Sequence, residues 1–130
     1  MSDLEKIKRL LEKLECEFIE GCVYEDEDSE KNVNHNLFGK VVGDDIYNIV
    51  LEVVVDDDSN FTGEVFTIYG TKNMDELFFG LQTYEELLKA LLKETQLKNE
   101  MLKDEELRTE IQLMERLPKM KNIRKKINEE

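Results

Sequence analysis

The sequence has no tryptophan, one proline, one histidine and two cysteines in 130 residues. Two cysteines give no disulfide framework. Cys16 and Cys22 are not at CxxC spacing and have no His/Cys cluster around them, so structural zinc is not expected. His35, in "VNHNL", has no nucleophile or carboxylate beside it in the sequence, which general acid–base work would need. There is no glycine-rich phosphate loop, nucleophile elbow or HExxH. "FGKVVGD" lacks the following helix that would aim N–H groups at a phosphate. No catalytic residue, metal or cofactor is therefore expected, and the chain reads as a non-enzyme.

Long apolar runs are missing too. The longest, Ile46 to Val55, is interrupted by Asn48 and Glu52, so no membrane span is expected. "MSDLEKIKRLLEKLE" has no apolar signal region. The expected location is cytoplasmic, with both thiols reduced. Positive charge is scarce: 18 Lys and Arg face 31 Asp and Glu, for a net −13, and 38% of residues are charged. The usual charged share is about 25%. A field of that sign repels nucleic acid and attracts basic partners.

What is present reads as α+β. Leu4, Ile7, Leu11, Leu14 and Phe18 recur at steps of three and four, the apolar face of an N-terminal helix. Ser2 or Asp3 can cap its start and Gly21 can end it. "CVY" (Cys22–Tyr24) reads as a short strand and Glu25–Asn36 as an exposed loop. Leu37–Gly70 reads as a three-stranded antiparallel meander. In its middle strand Tyr47, Ile49, Leu51, Val53 and Val55 share one face, which period-two arithmetic turns toward the core, with Phe66 and Ile68 completing it. Asn73 with Glu76, and Thr83 with Glu86, read as capped helix starts.

Nothing forbids a helix over Thr83–Leu117, which would run about 50 Å at 1.5 Å per residue. Its apolar stripe changes phase between Leu102 and Leu107. The spacing predicts a break near Lys103-Asp104, giving a C-terminal helical hairpin; a long helical arm that forms a homodimer is the competing reading. Pro118 suits the first turn of a last helix. Residues 118–130 carry five basic and two acidic side chains, a net +3 against −16 for the rest. The expected organisation is an α+β core over residues 1–82 and a helical region with a basic end over 83–130, within one structural domain.

The carboxylates supply the candidate site. "DDDSN" from Asp56 to Asn60 sets oxygens at alternate positions, as in an EF-hand loop. Phe61 then stands where that loop needs glycine, and Thr67 where it needs a bidentate glutamate. Glu25, Asp26, Glu27, Asp28, Asp44, Asp45, Asp56, Asp57 and Asp58 are the expected partner-binding residues, because clustered carboxylates repel one another and a basic partner relieves that repulsion.

"DDIYNIVLEVVV" (Asp44–Val55) resembles the second-strand region of the SecB export chaperones, which are also small, acidic, sheet-plus-helix proteins. The resemblance covers twelve residues; a helix precedes the sheet here, and the family's fourth strand is not evident. Small acidic chaperones of type III secretion likewise begin with a helix, but two of their strands are not evident either. These likenesses imply an oligomeric chaperone that binds apolar segments through Phe61, Phe78, Phe79 or the helical stripe. The leading expectation is different: an acidic interaction protein that engages a basic protein. Its concrete version is a phage-type inhibitor that imitates nucleic-acid charge and blocks a nucleic-acid-binding partner. Calcium binding is a third reading.

Overall fold

The structure, a computed structural model, describes residues 1–116. Its elements in chain order are α1 (Asp3–Lys13), β1 (Glu17–Glu25), β2 (Asn32–Val42), β3 (Asp45–Val55), β4 (Phe61–Lys72), β5 (Asp75–Leu81), α2 (Tyr84–Leu92) and α3 (Thr95–Met101). A fourth helical run, α4, covers residues 105–116. All strands are antiparallel, in the order β1-β2-β3-β4-β5. The fold is α+β, but the sheet has five strands rather than the expected three. The last helix expected from Pro118, with its basic side chains, lies outside the described residues.

Each correction has a local cause. α1 stops at Lys13, well before Gly21. Glu15 takes the left-handed conformation (φ 58°), Glu15 N–H donates to Glu12 O and Cys16 N–H to Leu11 O. That is the Schellman pattern, with glutamate where glycine is common. Phe18 thus leaves the helical stripe and sits on β1. The expected loop Glu25–Asn36 shrinks to the turn between Glu25 and Asn32. Asn73 and Met74 both have positive φ (51° and 74°) and form a tight hairpin turn into β5, not a helix start. Asparagine tolerates that conformation, which two-residue hairpins require.

The long helix is broken twice. Thr83 caps α2 as expected, with Glu86 N–H donating to Thr83 Oγ1 at 3.2 Å. The chain breaks at Lys93-Glu94 and again at Leu102–Asp104, where Leu107 N–H donates to Asp104 Oδ1 at 2.9 Å. The expected break near Lys103-Asp104 is there; the earlier one was not anticipated. The result is three short helices in place of a hairpin or an arm.

One core joins the helices to one face of the sheet. Leu4, Ile7, Leu10 and Leu11 of α1, Leu87, Leu88 and Leu91 of α2, Leu97 and Met101 of α3, and Leu107 and Ile111 of α4 meet Tyr47, Ile49, Leu51, Val53, Val65 and Ile68. The face expected to turn inward on β3 does so from Tyr47 to Val53; Val55, beyond a register shift, is buried but outside this core. Phe66 does not join it. Glu52 pairs with Thr67 and Val53 with Val65, so Phe66 is the extra residue of a bulge and is half-buried. Gly70 has to be glycine because the Phe78 ring lies where a Cβ would stand, 2.5 Å from its ideal position. The helical stripe is spent inside the chain, so a homodimer through the C-terminal helices would have to use other faces. Among the described residues no helix is long and apolar enough to cross a membrane.

Candidate functional site

A meander sends its first and third turns to one end of the sheet and its second and fourth to the other. Glu25, Asp26, Glu27 and Asp28 therefore share an end with Asp56, Asp57 and Asp58, while Asp44 and Asp45 lie at the opposite end. The nine expected site residues do not form one surface.

Within each end some carboxylates are committed to the fold. Asp26 accepts from Ser29 N–H at 3.0 Å and Ser29 Oγ at 2.7 Å, and these bonds hold its carboxyl below the usual range. Asp56 accepts from the N–H groups of Asp58 and Asn60, both at 2.9 Å. Both turns use the same device: a leading aspartate ties down later amides, and a residue near the turn's end, Glu30 or Ser59, takes positive φ. This also turns an oxygen of Asp56, the first ligand of the calcium reading, into its own loop. At the other end Asp45 accepts from Asn73 Nδ2 at 2.8 Å and from Gln96 Nε2, with Lys72 Nζ at 3.8 Å. The Asn73 and Gln96 bonds lead in lowering its carboxyl, with Lys72 adding to them. Asp45 thus clamps two hairpin turns to α3. Among the described residues Glu25, Glu27, Asp28, Asp44, Asp57 and Asp58 have no ion pair or side-chain hydrogen bond, and all are exposed. The neighbouring Lys31 is taken by Glu64, at 2.9 Å.

The sheet face opposite the helices carries a second constellation. Glu52, on the central strand, is only 6% exposed. A buried charge is costly unless it is hydrogen-bonded. Tyr24 OH donates to Glu52 Oε2 at 2.5 Å, and His35 Nδ1 lies 3.3 Å from the same oxygen. Tyr69 stands beside the imidazole, with centroids 6.5 Å apart, and Phe79 leans on Tyr69 at 6.0 Å. Burial first, then the bond to Glu52, raises the Tyr24 phenol well above its ordinary value; burial and the Glu52 charge raise Tyr69. His35 therefore does have a carboxylate beside it, contributed by the next strand seventeen residues on. The signal in the sequence was Glu52 itself, a charge in the middle of a valine-rich strand.

Register also sets Cys22 opposite His35 and His35 opposite Glu52. That row has the residue types of a nucleophilic triad, but the imidazole leans toward Glu52 and Tyr69, and no Cys22–His35 hydrogen bond occurs among the described residues. Both cysteines are free, and burial pushes the Cys16 thiol up to about 11. Clefts on the helix side include one of about 260 Å³ lined by Arg9, Lys13, Tyr84 and Glu106, one of about 430 Å³ between β5 and α2, and one of about 180 Å³ beside Lys40 and Asp104. Glu52 lines none of these. Among the described residues no group of three His, Cys, Asp or Glu is arranged to hold a metal ion.

The aromatics of the chaperone reading are dispersed. Phe61 is exposed on the helix side under Lys8, whose Nζ is 4.2 Å from the ring centroid. Phe78 packs over Gly70, and Phe79 is exposed on the other face. Comparison with family models, with curated proteins and with solved structures finds no match to this chain.

Proposed function

We propose that this chain is a non-enzymatic interaction protein that engages a basic partner through the acidic turn end of its sheet. The observation that carries this reading is the convergence of Glu25, Glu27, Asp28, Asp57 and Asp58 at one end, exposed and unpaired among the described residues. Like charges held together by two rigid turns repel each other, and Lys or Arg side chains of a partner relieve that cost while steering its approach. Asp26 and Asp56 hold the turns in shape for this surface, and Asp44 and Asp45 stand apart from it. The concrete version is a charge mimic: the partner is a nucleic-acid-binding protein, and the carboxylates occupy the groove that phosphates would fill, which makes the chain an inhibitor.

The test uses a ten-lysine peptide as the basic probe. Binding should weaken steeply as salt rises from about 50 mM to about 300 mM, because the interacting charges are exposed and screened. Combined Glu27→Gln, Asp57→Asn and Asp58→Asn should weaken it at least about tenfold, roughly 1.4 kcal/mol. Asp44→Asn should change it little. Equal affinity for the triple variant and the parent would remove the site assignment.

A further inference from the structure

The two edges of the sheet are unlike. β5 is seven residues long, has irregular register against β4, and is packed by α2. β1 is nine residues long, is exposed at every position, and pairs only with β2. Among the described residues nothing covers its outer edge, so a row of backbone N–H and C=O groups faces solvent. Such an edge is a template for another strand. It also carries large apolar side chains in the open: Phe18 is 55% exposed, Ile19 52% and Val23 48%.

Charge selects what can pair there. Proteins often close such edges with charged side chains, and β1 carries three, Glu17, Glu20 and Glu25, all of one sign. They repel a second copy of this acidic chain, because like charges on paired strands are destabilising. A cationic strand meets no such barrier. Register sets Glu17 and Glu20 on one face and Phe18 and Val23 on the other, where Glu25, opposite Asn32, also falls. Glu17 and Glu20 pair with Gly39 and Leu37, on the face away from the helices. Phe18 and Val23 pair with Phe38 and Asn34, on the helix side. Ile19, the bulged residue, leans over Gly39, its Cδ1 2.7 Å from where a Cβ would stand.

We propose that the free edge of β1 takes up an extended segment of the basic partner as a sixth strand, a segment in which Lys or Arg alternates with apolar residues. This rests on the acidic-interaction reading and gives it a binding mode. Main-chain hydrogen bonds supply affinity and the alternating side chains supply selectivity. Successive side chains of the incoming strand point to opposite faces. Its cations meet Glu17 and Glu20 while its apolar side chains cover Phe18 and Val23.

The test compares two nine-residue peptides of the same composition, the length of β1. One alternates lysine and valine; the other groups its lysines in one block and its valines in another. The alternating peptide should bind the full chain at least about tenfold more tightly, slow hydrogen exchange at β1 amides, and lose that advantage in Glu17→Lys/Glu20→Lys. Both positions are exposed, so the variant should fold; protection in the unaltered chain reports the site independently. If both peptides bind equally, or protection falls on β5 or only on the turns, the sixth strand is refuted while the acidic reading stands. If neither peptide binds at low salt, both fall.

Discussion

Tyr47, Ile49, Leu51 and Val53 point from β3 into a core shared with four helices. Asn48, Val50, Glu52 and Val54, one residue out of step, point to a face that no described helix covers. The same strands thus serve two purposes. On the covered face β3 contributes only apolar side chains, while Asn34, Asn36 and Lys40 of β2 sit toward its margin, and stability comes from area removed from water. On the open face a glutamate is buried among tyrosine, histidine and valine, and order comes from satisfied polar groups. A core of this kind tolerates neither voids nor charge, whereas an open face can keep a charge if its neighbours hold it. The largest expected effect follows directly. Ile68→Ala and Leu87→Ala, both at fully buried positions, should each cost about 2–5 kcal/mol, read as a fall in the urea midpoint. Val41→Ala on the open face, where the side chain is well exposed, should stay within about 0.5 kcal/mol. Comparable losses at both sites would mean that the open face is covered in solution.

The second way to sharpen the contrast is at Glu52. Tyr24→Phe removes the phenol that donates to it and leaves the carboxylate buried with His35 alone. That should cost about 1–3 kcal/mol, the penalty for depriving a buried group of its partner. Glu52→Leu removes the buried charge itself and keeps most of the volume; Tyr24 and His35 lose a partner, but both are partly exposed and can turn to water, so the cost is smaller. Tyr24→Phe should therefore destabilise more than Glu52→Leu, and adding Glu52→Leu to Tyr24→Phe should recover part of the loss. The opposite order in denaturant unfolding would show that the carboxylate is needed where it stands.

The covered face was legible because its signal is local. Period two in β3 and steps of three and four in α1 each follow from a stretch shorter than a dozen residues; Ser2 and Thr83 cap helices where their side chains suggest, and Asp104 caps α4 at the expected break. The missed features depend on partners far along the chain. Cys22–Tyr24 reads as a strand and lies in β1, but the first half of β1 reads as α1 because Leu14 and Phe18 continue the helical spacing; the stop comes from Glu15 in a conformation that residue seldom adopts. β5 was missed because Asn73 and Glu76 fit a helix cap as well as a hairpin turn. The site was half legible. The carboxylate clusters are plain in the sequence, but only the strand count decides which turns share an end. With three strands Glu25–Asp28 belonged to a loop with no fixed place; with five it is the first turn, beside the third. Tyr24, His35 and Glu52 come from three different strands and meet only through register.

The ties between helices should show in acid. Leu107 N–H and then Lys13 hold the Asp104 carboxyl below its ordinary value, and Lys13 and Arg9 do the same for Glu106. A carboxyl lowered in the folded state stabilises it at neutral pH, and the gain is lost as pH falls through the folded-state value. Stability should hold from pH 7 down to about 4 and decline below that. Asp104→Asn should start lower and decline less steeply, because asparagine cannot titrate. Urea midpoints across this range in parent and variant test it; parallel curves would place the acid sensitivity elsewhere, with Asp26 and Asp45 the next candidates.

The smallest effects separate two kinds of aspartate within one turn. Asp56 anchors the amides of Asp58 and Asn60, so Asp56→Ala leaves both without their acceptor and should cost about 1 kcal/mol. Asp57 and Asp58 have no side-chain partner among the described residues and stand in the same acidic end as Glu27 and Asp28. Asp57→Asn and Asp58→Asn should change stability by less than about 0.5 kcal/mol, and the sign should be a gain, because each removes a like charge from a crowded end. That gain should vanish in about 1 M salt, where the screening length falls to about 3 Å. A loss in place of a gain would mean that these carboxylates hold the turn. Their exposure would then be structural rather than reserved for a partner, and the acidic end would stop resembling the open face and start resembling the core.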